Sequence, residues 1–336
     1  MLPISRPGRP PRPRVPGRGG KGSASGSRGQ SPARIVVLGD LMLDVVLAPD
    51  RDLASGTDVP GRVALVQGGS AANTARWLGR LGARTTLIAA VGRDGAGRAL
   101  VEAVRAEDVT VRVSRVAGAR TGRIGVLVAP GGERSFVADR GAADLLDADH
   151  LRATWFQGAD ALHLPVYSLL GAPLGLAGLR AIELARAADA MVSVDLASIG
   201  PLLASGRRAA RSLMTGIAPD LLFATAAEAE ALIGSRRVEA LLDYASTAVV
   251  KRGAKGATVM TRLGTAPSRF EVATERLATA DTTGAGDAFD AGFLVAWFAA
   301  RSAGRSLPAS LQQAALAGHR AAARQLSARR PELSLG

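Results

Sequence analysis

The sequence predicts an α/β fold, with a mostly parallel central sheet sandwiched by helices and a small β-sheet lid. Three observations carry this. From Arg34 onward, short apolar runs of buried-strand length alternate with amphipathic helical stretches, the pattern of a parallel sheet covered on both faces. Two β-rich stretches, near residues 45–67 and 109–139, break the alternation and do not fit inside the sandwich. Polar and glycine positions cluster directly after strands, where open α/β sheets bind their ligands.

Arg34–Leu38 (R-I-V-V-L) reads as a buried strand ending at Gly39-Asp40. Ala71–Leu81 predicts a short helix, Thr85–Val91 a strand and Asp94–Glu107 an amphipathic helix. Val109–Ser114, Arg123–Val128 and Ser135–Ala138, parted by Ala117-Gly118 and Pro130-Gly131-Gly132, predict hairpins. Strand Ala161–Leu164, helix Leu174–Ala188, and strands Met191–Asp195 and Leu221–Ala224 follow, with helices across Ala226–Tyr244. Strand Ala248–Lys251 and an antiparallel pair, Ala257–Thr261 with Ser268–Ala273, lead to helices Ala285–Ala300 and Ala309–Leu326. The expected organisation is a basic tail over 1–33, one domain over 34–327 and a C-terminal tail over 328–336.

Composition narrows the function. The chain of 336 residues has no cysteine, which excludes disulfides, thiolate catalysis and cysteine-based metal sites. Three scattered histidines (His150, His163, His319) argue against a histidine metal site. The net charge is +13, but residues 1–33 hold seven bases and no acid in a Pro/Gly/Ser/Arg-rich stretch that buries almost nothing, so this tail is expected to be disordered. It leaves open contact with nucleic acid or another acidic surface, and it lacks the apolar stretch of a secretory signal. The uncharged run between Asp160 and Arg180 is interrupted by Pro165, Gly171, Pro173 and Gly175, so it reads as strand, loop and helix start rather than a membrane span. A soluble, cytoplasmic protein is expected.

Three motifs carry chemistry. Asp281-Thr282-Thr283-Gly284-Ala285-Gly286-Asp287-Ala288-Phe289 opens an apolar helix. Small residues at a helix start let backbone N–H groups converge on an anion. Asp287 in that turn repels a simple phosphate, but suits a base that takes a proton from an attacking hydroxyl while the amides of Gly284, Ala285 and Gly286 hold the developing charge. The bland alternative is a glycine-rich N-cap. The second motif, Gly68-Gly69-Ser70-Ala71-Ala72-Asn73, opens another helix and allows close approach of a ligand or merely close packing. The third, Gly39-Asp40-Leu41-Met42-Leu43-Asp44, places two acids after a buried strand, as acceptors for sugar hydroxyls or as turn caps.

Together, in this order and spacing from Arg34 to about Leu326, these motifs resemble the ribokinase-like (PfkB-type) carbohydrate kinases. The resemblance implies an ATP-dependent kinase acting on a hydroxyl of a small sugar or sugar-like molecule, with magnesium. It implies Asp287 as catalytic base and Gly284–Gly286 as anion hole, with Asp44, Gly68, Gly69 and Asn73 at the substrate. Thr225 and Glu228 stand at the family's N-x-x-E motif, tied to magnesium and the ATP phosphates. Lys251, Gly253, Lys255 and Gly256 match its nucleotide loop. Asp281 and Thr283 fall where several members hold a monovalent cation, and a homodimer through the lid is a further expectation.

The chain departs from the pattern at several points. Thr225 replaces the asparagine of N-x-x-E. Met42, Ser70 and Pro165 replace substrate contacts of ribose-specific members, which argues against ribose itself. Ala328-Arg329-Arg330-Pro331 lacks the glycine of the cation loop, which argues against potassium activation.

Two of only three lysines, Lys251 and Lys255, fall in one loop of an arginine-rich chain, which suggests a phosphate role or two chance survivors. Arg140 reads as a selector for an acidic or phosphorylated sugar, or as a surface arginine near the lid hinge. His163 and Tyr167 read as sugar-site or core residues, and Trp77 and Trp297 as core. A nucleoside kinase shares every motif, and a sugar-sensing, nucleic-acid-binding regulator is a more distant alternative. A Rossmann dehydrogenase is excluded, since no G-x-G-x-x-G follows the first strand.

Overall fold

The computed structural model describes residues 31–263, 266–275, 282–328 and 330–335. Most of the basic tail and Asp281, the expected cation residue, lie outside them.

The chain begins with β1 (Arg34–Leu38), whose alternation sends Ile35 and Val37 into one apolar core and Val36 and Leu38 into another on the opposite face. It continues into β2 (Met42–Pro49) and β3 (Gly61–Gly68), then α1 (Ser70–Arg80), β4 (Arg84–Gly92) and α2 (Gly95–Arg105). After these come β5 (Val109–Val116), β6 (Arg123–Val128), β7 (Arg134–Asp139), β8 (Ala161–Pro165) and α3 (Leu174–Ala187). The next stretch holds β9 (Met191–Asp195), α4 (Ile199–Leu203), α5 (Arg207–Ile217), β10 (Leu221–Thr225), α6 (Ala226–Ile233) and β11 (Thr247–Lys251). The hairpin β12 (Ala257–Leu263) and β13 (Ala266–Val272) then precedes α7 (Ala285–Ser302) and α8 (Leu307–Ser327).

Nine strands form one sheet in the order β13-β12-β11-β10-β9-β8-β1-β4-β5, parallel except for the β12–β13 edge. Helices α1, α2, α7 and α8 contribute to the core on one face, and α3, α5 and α6 to the core on the other. The two-faced α/β architecture is as expected. One boundary is not: residues 109–116, assigned from sequence to the lid stretch, form β5 and pair parallel with β4 at the edge of the large sheet. Their alternation explains this, since Val109 and Val111 bury against the core beside α2 while Thr110 and Arg112 face solvent.

A separate sheet of four strands, in the order β3-β2-β6-β7, uses the rest of the two β-rich stretches. Its register places Asp44, Phe136 and Arg134 on one face and Leu43, Val45, Leu47, Val63 and Val137 on the other. The C-terminal segment runs back along this sheet. Leu333 N–H donates to the Leu65 carbonyl at 2.8 Å, Glu332 faces Val66 and pairs with Arg62, and Leu335 sits beside Leu43, Val45, Leu65 and Ala96. No helix among the described residues is long and apolar enough to cross a membrane.

Candidate active site

Asp287 lies in the first turn of α7, directly after Gly284, which takes a left-handed conformation at φ 74°. Its carboxylate accepts hydrogen bonds from Ser70 Oγ at 2.7 Å and Asn73 Nδ2 at 3.0 Å, both on α1. Burial pushes the Asp287 pKa up to about 7, the two hydrogen bonds pulling the other way and Asp195 adding to the rise. The first amides of a helix have no partner within it, so those of this turn can serve an anion. The Ala285 N–H closes a loose turn onto the Thr282 carbonyl at 3.3 Å.

The glycine pair before α1 has a steric origin. A Cβ on Gly68 would lie 1.9 Å from Asp44 Oδ1, so the pair leaves room for that carboxylate. Gly69 adopts φ 96° and faces the Asp40 carbonyl, where a side chain would collide at 2.5 Å. The two acids after β1 divide their tasks. Asp40 accepts from the Ala71 N–H and so caps α1, whereas Asp44 pairs with Arg330 at 2.8 Å.

Arg140 is largely buried, unlike a surface arginine. It contacts Asp144 at 2.6 Å and Asp40 at 3.4 Å, and its guanidinium lies 4.8 Å from the Tyr167 ring centroid. His163 does not line a sugar site. It is fully buried in β8, its Nδ1 lies 3.1 Å from Ser193 Oγ, and burial lowers its pKa to about 4. Trp77 and Trp297 are buried in the core, the Trp77 indole donating to Gln325 at 2.9 Å.

On the other side of α7, Lys251 at the end of β11 is clamped between Asp195 at 3.2 Å and Asp290 at 3.1 Å. Burial opposes its charge, but Asp195, Asp290 and Glu228 outweigh it and raise the Lys251 pKa. A Cβ on Gly286 would lie 3.3 Å from its Nζ, so the ammonium sits close to the Gly284–Gly286 turn. Thr225 and Glu228 form a capping box at the start of α6. The Thr225 N–H donates to Glu228 at 2.7 Å, and the Glu228 N–H donates back to Thr225 Oγ1 at 3.3 Å. Burial, and then Asp195, raise the Glu228 pKa. Gly253 and Lys255 form the turn after β11, closed by Gly256 at φ 83°, where a side chain would strike the Val272 carbonyl at 2.1 Å.

Sequence reasoning missed three residues. In the sequence Ser70 stands only as a replaced substrate contact in the glycine-pair motif, yet its hydroxyl donates to Asp287. Arg134, on the inner face of the small sheet, contacts Thr283 beside the Gly284–Gly286 turn. Arg330, read only as an irregular cation loop, reaches Asp44. The last two lie far in sequence from the groups they touch, and only the topology of the small sheet and the returning C-terminus brings them there.

A two-faced α/β sheet with a small accessory sheet beside a GAGD helix start defines the class as a ribokinase-like kinase. In solved structures the fold is similar to adenosine kinase from Sinorhizobium meliloti, with a TM-score of 0.75, 23% identity and coverage of 91% of this chain and 98% of that one. It is also similar to fructokinase from Vibrio cholerae O395, solved with fructose, ADP and calcium (TM-score 0.71, 23% identity, 90% and 95% coverage). Among curated relatives, fructokinase-1 of Zea mays is 32% identical over 270 residues, 76% of this chain and 80% of that protein. Residues 32–332 match the pfkB family carbohydrate kinases, and the chain belongs to that family.

Proposed function

We propose that this carbohydrate kinase transfers the γ-phosphoryl group of ATP to a hydroxyl of a small sugar, with Asp287 as general base. The observation that carries the reading is the Asp287 carboxyl itself, with a pKa of about 7 and, among the described residues, the neutral donors Ser70 and Asn73 of α1 on its oxygens. Such a carboxyl is about half ionised at neutral pH, and its carboxylate is basic enough to accept a proton from an attacking hydroxyl. The substrate hydroxyl would approach from the side of Asp44, Gly68-Gly69 and Asn73, under the small sheet acting as a lid, with Arg140 at its base. The amides of Gly284–Gly286, with the Lys251 charge behind them, would stabilise the transferring phosphoryl group.

The nucleotide would lie along Thr225–Glu228 and the Gly253–Gly256 turn, Lys255 facing its phosphates. Glu228 and its electrostatic neighbour Asp195 are hard oxygen donors, which suit a water-mediated magnesium ion that neutralises phosphate charge. The exposed side chains of Leu47, Val63 and Val137 on the outer face of the small sheet support a homodimer through the lid.

Fructose is the first substrate to test, because the curated relatives are fructokinases. An ADP-release panel over ketoses, aldoses, sugar acids, sugar phosphates and nucleosides, with Asp287→Asn as blank, checks the reading. Turnover is expected with a ketose. Turnover confined to nucleosides would replace the sugar assignment, and none with any acceptor would sink the kinase reading.

A further inference from the structure

The Gly284–Gly286 turn has little of its own to hold its shape. Gly284 is the N-cap of α7 and carries no side chain, and at φ 74° its backbone is freer to rotate than that of other residue types. The bond from the Ala285 N–H to the Thr282 carbonyl is long, at 3.3 Å. A firmer hold comes from α8, where Gln325 Nε2 donates to the Thr283 carbonyl at 2.9 Å. A trans peptide is planar, so the Thr283 carbonyl and the Gly284 N–H point in opposite directions from one rigid unit. Holding the carbonyl therefore aims the N–H, the first of the three amides in the turn. A Cβ on Gly284 would lie 3.3 Å from the same Nε2, so the Gln325 amide rests against the turn itself.

That amide is in turn oriented by α1. Gln325 Oε1 accepts from the Trp77 indole N–H at 2.9 Å. An indole N–H only donates and a backbone carbonyl only accepts, so the two bonds together leave the side-chain amide one orientation. Trp77 is buried on α1, one turn beyond Asn73, which with Ser70 holds Asp287. Helix α1 thus reaches both parts of the site, the carboxylate directly and the amide turn through Gln325.

We infer that Gln325 is a positioning residue for phosphoryl transfer, acting through the Thr283 carbonyl to aim the Gly284 N–H at the charge that develops on the transferred group. The role rests on the kinase reading above. Preset donors act on charge that grows toward the transition state, so their loss falls on kcat more than on KM. Gln325 serves the amide turn and not the base, so its loss leaves the proton affinity of Asp287 unchanged.

The test is steady-state kinetics of the full chain with ATP, magnesium and fructose, or the best acceptor of the ADP-release panel. Gln325→Met is of similar length but neither donates to Thr283 nor accepts from Trp77. Its kcat is expected to fall about tenfold, the worth of one hydrogen bond in the transition state, with both KM values within about twofold of wild type. The acid limb of its kcat/KM profile is expected to keep its pH. Gln325→Glu still accepts from Trp77 but sets an acceptor against the Thr283 carbonyl, and its kcat is expected to fall at least as far.

Circular dichroism and thermal melting check that each variant is folded, and Gln325→Glu keeps the test valid if Gln325→Met is not. Wild-type kcat in either folded variant overturns the role, as does a loss carried wholly by KM. A displaced acid limb in Gln325→Met also overturns it, because the effect would then run through Asp287. The two readings fail differently. A wild type without turnover on any acceptor ends the kinase reading and this role with it, whereas an active wild type matched by its variants ends this role alone.

Discussion

Asp287 and Asp290 lie one turn apart on α7, and burial pushes both carboxyls toward the protonated form. Their partners differ. Asp287 faces two neutral donors, Ser70 and Asn73, whereas Asp290 is wholly buried against the Lys251 ammonium, with Asp195 beyond it. A carboxylate held only by neutral donors keeps a proton affinity near neutral pH and can exchange that proton with a substrate. One committed to a buried cation is part of a charge cluster whose disruption is felt mainly in the fold. Under the proposed mechanism the two aspartates mark a division along one helix, with the proton acceptor on the α1 side and electrostatic support on the β11 side.

The sharpest test of that division is Asp287→Asn. General-base help is worth ~10²–10⁴ in rate, so kcat measured by ADP release should fall by about that factor. Stability should move the other way. The folded pKa of Asp287 is raised above its ordinary value, so its contribution is present at low pH and is lost as pH rises through about 7. The variant should therefore be no less stable than wild type at pH 8 by thermal melting. Near-normal turnover would remove Asp287 from the mechanism.

The matching experiment on the other side is Lys251→Met. It leaves Asp195, Asp290 and Glu228 facing one another without their cation, and removal of one partner from a buried cluster costs about 3–5 kcal/mol. Denaturant unfolding should show that loss, greatest above neutral pH and smaller as the carboxyls take up protons at lower pH. Lys251→Met with Asp290→Asn should recover part of it. A single variant as stable as wild type would mean that the cluster does not hold this face together.

The sequence made one side of this comparison readable and hid the other. Asp287, its glycine turn, Asn73 and the capping pair Thr225–Glu228 occur in short local patterns whose spacing reflects helix starts. The β5 boundary failed because a half-buried edge strand and a lid strand alternate alike, and only pairing with β4 tells them apart. Lys251 was visible as a rare lysine, but its partners Asp195 and Asp290 lie on β9 and α7, and spacing along the chain carries no trace of that meeting. Arg330 was hidden for the same reason, since its partner Asp44 is 286 positions away. Local geometry is legible in sequence, whereas a charge pair assembled by topology is not.

The finest division is between Asp287 and its own two donors. If Asp287 must be ionised to accept a proton, kcat/KM should fall below an acid limb near pH 7, since that profile reports the free enzyme. Ser70 Oγ donates to the ionised carboxylate and favours it, so Ser70→Ala should raise the limb. A hydrogen bond of about 1.4 kcal/mol corresponds to a shift of about one pH unit. The plateau at alkaline pH should change far less, because the base is ionised there with or without the serine. A rate reduced equally at every pH, with the limb unmoved, would mean that Ser70 positions the helix start rather than the proton affinity of Asp287. A limb that rises with the plateau held would show that neutral donors from α1 set the working pH of this kinase, a role the Lys251 side of α7 does not share.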